Sequence, residues 1–215
     1  MARSRSAVVS LGFAFGRVAF GLVAFGLAAS CATNDAALKH VPRTRLQAAD
    51  YYPLAAGWKW AYDLEKDGQK ILGIYSVVER TSEGATIAAG TERLTYAIKP
   101  EGLAQMDANG VGDFVLKNPL VKDATWPVSG GTARVVSTTE EVTVDAGHFY
   151  DCAVVEVART DPPRIARTIF APDVGPIVIE VQVEQNGRYV VATRARLRSS
   201  TKPGDDPFAA GATSP

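Results

Sequence analysis

The chain has 215 residues, 47% of them apolar and 21% charged, and its 23 basic side chains balance its 23 acidic ones. That composition excludes disordered, collagen-like and low-complexity chains, and the neutral balance leaves no electrostatic footprint for nucleic acid. The length is that of one ordinary domain once any targeting segment is set aside.

Residues 1–30 are such a segment: they carry Arg3, Arg5 and Arg17 and no acid. The twelve residues 18–29 are apolar and run into the small side chains Ala28, Ala29 and Ser30. Twelve suits the apolar region of a cleavable signal peptide and falls short of the roughly 20 that span a bilayer. The alternative, one membrane span over residues 7–29, sets Arg17 at its centre at a cost of about 2.5 to 3.5 kcal/mol. On such a helix Gly16, Gly21 and Gly26 recur every five residues and rotate around the axis, so they make no packing stripe. Leu27-Ala28-Ala29-Ser30-Cys31 resembles a lipobox, which implies that Cys31 becomes the lipid-bearing first residue of the mature protein. The departure is Ala28, which stands where leucine usually precedes the cysteine by three places. An ordinary secretory signal with a cysteine nearby is the competing reading. Ala32 follows Cys31 in place of an aspartate, which by the same resemblance implies the outer membrane, on its periplasmic face. The membrane is then a partner through the lipid. Cys152 is the one other cysteine, so a lipidated Cys31 leaves no intramolecular disulfide.

Residues 31–50 are weakly patterned and read as a flexible tether whose nineteen residues after Cys31 span about 25 Å. Next comes the clearest strand signal in the chain. Trp58, Trp60, Tyr62 and Leu64 alternate with polar or small residues up to Asp67-Gly68, a two-residue hairpin signal. That loop sets Leu64 against Ile71, Tyr62 against Gly73, Trp60 against Tyr75 and Trp58 against Val77, with Glu65 beside Lys70 on the other face. Further strands are expected at residues 93–99, 112–117, 132–137, 141–144, 151–158 and 165–170. The last pair reads best with a three-residue loop, Gln185-Asn186-Gly187, which sets Val183 against Tyr189, Val181 against Val191, Ile179 against Thr193 and Ile177 against Ala195. Residues 199–215 have the Pro, Gly and Ser content of a disordered tail. The folded part is therefore residues 51–198. Eight to eleven short strands without a long helix predict a mainly β single domain. Its antiparallel sheet is strongly curved, a half-barrel or barrel with few or no helices, and a sandwich stays open.

Three segments carry a family resemblance. They are Tyr51-Tyr52-Pro53-Leu54 with Gly57, Trp60 and Tyr62; Val142-Thr143-Val144 with Ala146-Gly147, Phe149, Cys152 and Glu156; and Ala171-Pro172 with Val174-Gly175-Pro176-Ile177 and Glu180. Together they resemble bacterial envelope lipoproteins of the TapB and DUF3108 type. The resemblance implies a curved antiparallel sheet akin to the half-barrels of periplasmic lipid carriers. Those carriers close their concave side with helices, for which this chain offers no obvious candidate.

No constellation of reactive residues emerges. His148 and Cys152 stand four apart, about 13 Å along an extended strand, too far to share a metal or a hydrogen bond. Cys152 reads as a small buried side chain, and His40 falls in the tether. Acids are scattered singly, and no glycine-rich loop opens a helix. The expectation is a non-enzyme with no catalytic residue, metal or cofactor. Arg188, Arg194, Arg196 and Arg198 share one strand face and suggest lipid phosphate binding. The same register sets Arg188 opposite Glu184 and Arg194 diagonal to Glu180, so a solvated sheet surface accounts for them. Trp58, Trp60, Tyr62 and Tyr75 form a one-sided aromatic group, either core or the lining of an apolar ligand cavity. The leading functional expectation is an anchored envelope module binding an apolar or lipid ligand. The alternative is an interaction or scaffold module with no small ligand, its protein partners unspecified.

Overall fold

The structure, a computed structural model, describes residues 42–43, 46–66 and 68–205. Twelve strands form one antiparallel sheet: β1 (Lys59–Lys66), β2 (Gln69–Arg80), β3 (Gly84–Ala89), β4 (Glu92–Lys99), β5 (Gly102–Met106), β6 (Gly112–Lys117), β7 (Thr125–Val128), β8 (Gly131–Val144), β9 (Gly147–Thr160), β10 (Pro163–Ala171), β11 (Gly175–Gln185) and β12 (Arg188–Thr201). Their order is β6-β5-β4-β3-β2-β1-β12-β11-β10-β9-β8-β7. Because the first strand pairs with the last, the sheet curls into a nearly closed barrel. Its break lies between β6 and β7, which are neighbours in sequence. The expected mainly β, strongly curved single domain is what the chain forms, with one 3-10 turn (Ala48–Tyr51) as the helical element among the described residues. The expected signal segment, Cys31 and most of the expected tether lie outside the described residues.

The β1–β2 hairpin has the register read from its loop: Trp60 opposes Tyr75, Tyr62 opposes Gly73, Leu64 opposes Ile71 and Glu65 opposes Lys70. Just before β1, the Trp58 carbonyl accepts the Val77 N–H at 2.8 Å, which extends the match. The β11–β12 hairpin departs from expectation. Its loop is two residues, Asn186 and Gly187, with φ of 53° and 75°, and Gln185 pairs with Arg188. A bulge after Val181 then shifts the pairing by one residue, so Val181 opposes Thr193 and Ile179 opposes Ala195. The bulge does what a three-residue loop was expected to do: it returns the apolar residues of both strands to the inner face. It also changes the arginine reading. Arg188 lies opposite Gln185, not Glu184, and the shift takes it out of alternation with Arg194 and Arg196.

β3, β5 and β7 were not expected, and residues 132–137 and 141–144 belong to one long strand, β8. Three register shifts against β9 interrupt its alternation, which is why it reads as two pieces. The domain also reaches further than residues 51–198 at both ends. β12 continues to Thr201, through three residues expected in the tail. Residues 46–50, expected in the tether, pack on the barrel, with Ala48 buried and Leu46 against the core.

That entry segment closes one end of the barrel. The Ala48 N–H donates to Asn118 Oδ1 (2.9 Å), the Arg43 N–H to Asp151 Oδ2 (2.9 Å) and the Asp173 N–H to the Asp50 carbonyl (2.7 Å). Arg43 pairs with Asp173 as well. Asn118 and Asp173 sit in the β6–β7 and β10–β11 connections, so all these contacts fall at the same end. Tyr51 fills the bore beneath them at 1% exposure, its hydroxyl donating to the Asp151 carbonyl (2.9 Å). Trp60, Leu116, Ile177 and Leu197 are buried as completely.

Candidate functional site

A barrel of eight strands is just filled by its own side chains, and the bore widens with every strand added. Twelve strands enclose more space than alternate side chains occupy. Here the entry segment takes up the excess at the plugged end, and a cavity of ≈ 510 Å³ remains beyond it.

Aromatic rings make the cavity floor. Tyr52, leading out of the 3-10 turn, meets Trp60 and Tyr96 edge-on at 5.6 and 5.4 Å between ring centroids and lies tilted against Phe170 at 6.1 Å. The Trp60 N–H donates to the Val174 carbonyl (2.6 Å), which docks the β10–β11 turn against the floor. Gly175, with φ of 107°, makes that turn possible, since a Cβ there would stand 3.2 Å from Trp60 Nε1. On the wall Tyr62 and Tyr75 pack edge-on at 5.3 Å, and Tyr62 donates to the Pro176 carbonyl (2.7 Å). Gly73 faces Tyr62 without a side chain, where a Cβ would come within 2.5 Å of Leu64. Leu94, Val155, Val157 and Ile179 complete an apolar wall.

Burial raises the phenol pKa values of Tyr52, Tyr62 and Tyr96, the first two well above the ordinary range. Their hydroxyls are engaged within the protein, that of Tyr62 with the Pro176 carbonyl and those of Tyr52 and Tyr96 with each other. Polar groups collect at the far end, where Gln105, Asp107, Asp113, Ser129 and Arg159 rim the opening. The Asp113 carboxylate accepts from the Ser129 N–H (2.8 Å) and hydroxyl (3.0 Å), and Arg159 stands 3.6 Å from it while donating to the Ser129 carbonyl. The site is thus amphipathic along its axis, with rings at the base, aliphatic walls and a polar rim.

Of the aromatic residues singled out in the sequence, Trp60, Tyr62 and Tyr75 line this cavity. Trp58 does not. It precedes β1 by one residue and lies at the plugged end, tilted against Trp60 at 6.1 Å with the Lys202 ammonium 5.9 Å from its ring. Sequence alternation assigned its side of the strand but not its depth along the bore. Tyr52 was quoted only as part of a motif, and Tyr96 and Phe170 fell inside expected strands without being recognised as lining. The rim residues carried no local signal, because Asp113 and Arg159 meet only through the barrel.

The remaining candidates have structural partners. Cys152 is fully buried, and burial, followed by the neighbouring Asp151 charge, pushes its thiol up to about 12. His148 lies on the outer β8–β9 hairpin between Thr143 and Glu141, 2.6 Å from each. Arg194 forms a forked contact with Glu180 (2.7 and 2.9 Å), Arg198 reaches Asp63 (3.2 Å) and Arg196 donates to the Thr143 carbonyl (2.8 Å). These three arginines are engaged with the protein's own acceptors.

No family model matches the chain and no curated protein is significantly similar to it, so the TapB and DUF3108 resemblance rests on the three segments that carry it. Among solved structures, the chain is similar to a Bacteroides fragilis protein assigned as exported and having a YmcC-like fold. The identity is 14% and the TM-score 0.45, over 71% of this chain and 99% of that one. It is similar also to a Parabacteroides distasonis protein assigned as a lipoprotein, at 15% identity and a TM-score of 0.39, over 70% of this chain and 98% of that one.

Proposed function

We propose that the chain is a cell-envelope lipoprotein, anchored through Cys31 on the periplasmic face of the outer membrane, whose barrel binds an apolar or lipid ligand without catalysing a reaction. One observation carries the binding reading: the ≈ 510 Å³ cavity with an aromatic floor and an aliphatic wall, a volume inside the range of about 300 to 1,000 Å³ typical of small-molecule pockets. The neutral tyrosines support an uncharged ligand body, and the polar rim supports a ligand with one polar end. The lipobox-like segment and the two exported or lipoprotein assignments agree with envelope placement.

The test is a titration of the full chain with a fluorescent fatty acid such as cis-parinaric acid, repeated with Val157→Trp. Val157 faces empty volume, so the larger ring enters the cavity without crowding a packed core. Binding by the parent chain and at least tenfold weaker binding by a folded Val157→Trp variant support the reading. Equal affinities sink it. A second reading, a docking module with no small ligand, is favoured by β2, where Ile71, Leu72 and Ile74 are 55 to 58% exposed. Crosslinking in cells that captures one protein at these positions, with no ligand bound, selects that reading.

A further inference from the structure

The break between β6 and β7 is where the barrel wall is held by side chains. Among the described residues no backbone hydrogen bond joins these two strands, whereas every other neighbouring pair shares a ladder. The two strands are joined at the plugged end by residues 118–124, and that connection is tied down by the Asn118 N–H to the Glu101 carbonyl (2.7 Å) and the Asp123 N–H to the Val135 carbonyl (2.8 Å). Toward the open end no backbone-to-backbone hydrogen bond links them among the described residues.

Two side-chain bridges cross the gap. Partway along, the Trp126 indole N–H donates to the Phe114 carbonyl (2.8 Å). At the rim the Asp113 carboxylate of β6 receives the Ser129 N–H and hydroxyl that follow β7, and Arg159 of β9 braces both. These rim groups also line the cavity, as do Val115 on one side of the gap and Val128 on the other. Asp113 and Arg159 are part-exposed at the rim, and with Ser129 they span the gap in the wall.

We infer that the β6/β7 gap is a lateral portal to the cavity, latched at the rim by Asp113, Ser129 and Arg159, held further in by the Trp126–Phe114 bond, and hinged at residues 118–124. The inference rests on the ligand-binding reading and extends it to entry. A side-chain latch opens without breaking a strand ladder, whereas parting any other pair of strands breaks several backbone bonds together. A slot along the wall, continuous with the open end, admits an elongated, unbranched amphiphile sideways, its chain passing between the strands and its polar end staying at the rim.

The experiment measures how fast cis-parinaric acid enters the full chain carrying Cys31→Ser, by stopped-flow fluorescence. In one variant Asp113→Cys and Ser129→Cys place two thiols on opposite sides of the gap, at the positions whose carboxylate and hydroxyl are now hydrogen-bonded, to be bridged by oxidation or by dibromobimane. The bridged protein is expected to take up the probe at least about tenfold more slowly than its unbridged form, and reduction of the oxidised form restores the rate. A second variant, Asp113→Ala, removes the latch and is expected to speed entry about tenfold. Unchanged entry in the bridged protein, or unchanged or slower entry in Asp113→Ala, overturns the portal while equilibrium binding leaves the cavity reading standing. No fluorescence gain in any form overturns the cavity reading and the portal with it.

Discussion

The two ends of the barrel are made from the same strands and differ in what lies between them. At the plugged end residues 46–54 cross the bore. Tyr51, Leu54 and Leu116 are buried there, and backbone bonds from Asp50, Ala48 and Arg43 fix the segment in place. At the open end the inner side chains of β4, β9 and β11 face one another across empty space. Alternation makes an apolar inner face but cannot fill a bore this wide. The filling comes from one segment of chain, and the cavity is what that segment leaves unoccupied.

The sharpest way to break this comparison is to make the same deletion at both ends. Leu116 is fully buried, so Leu116→Ala removes packed neighbours and leaves a hole, at an expected cost of about 3 to 5 kcal/mol. Leu94 faces the cavity, so Leu94→Ala removes atoms that already lack partners on one side, at about 1 kcal/mol. Urea denaturation of both variants checks this. Equal losses mean that the open end is packed after all.

This asymmetry was only half legible in the sequence. The first hairpin could be read to the residue, because Asp67-Gly68 fixes the loop and the aromatic alternation fixes the face. The last hairpin could not, because the bulge after Val181 leaves no local mark and any loop length that rescues the alternation looks equally good. β3, β5 and β7 are short and low in contrast, their sequences being GATIAA, GLAQM and TWPV. The cavity was hidden for a different reason. Its lining comes from strands far apart in the chain, and Trp58 and Trp60, equivalent in alternation, end up packed at the plugged end and on the cavity floor respectively.

Two glycines sharpen the comparison at smaller effect. Gly175 has φ of 107° and lies against the floor, so Gly175→Ala adds backbone strain and a close contact with Trp60, together about 1 to 3 kcal/mol. Gly187, at the tip of the last hairpin, has φ of 75° and no atom within 4 Å of an added Cβ. Gly187→Ala meets the backbone term alone, about 1 kcal/mol. Thermal melts that rank Gly187→Ala as the more damaging change contradict the placement of the β10–β11 turn on the floor.

The smallest expected effect at neutral pH concerns the phenol that seals the plugged end. Burial, followed by the negative charge of Asp151, raises Tyr51 to about 12, against about 10 for an ordinary tyrosine. Because the folded value is the higher one, the neutral phenol's contribution is complete below about pH 10 and is lost as pH rises toward about 12. In Tyr51→Phe the Asp151 carbonyl loses its donor, which costs about 1 kcal/mol at neutral pH. The variant also loses one of the groups whose ionisation opposes folding, so its stability falls less steeply between pH 10 and 12 than that of the parent chain. Tyr52, Tyr62 and Tyr96 are raised as well and remain in both proteins, so the difference between the two slopes is the readout. Urea midpoints taken across that window decide the point. Parallel slopes mean that water reaches Tyr51 and that the entry segment does not seal the barrel.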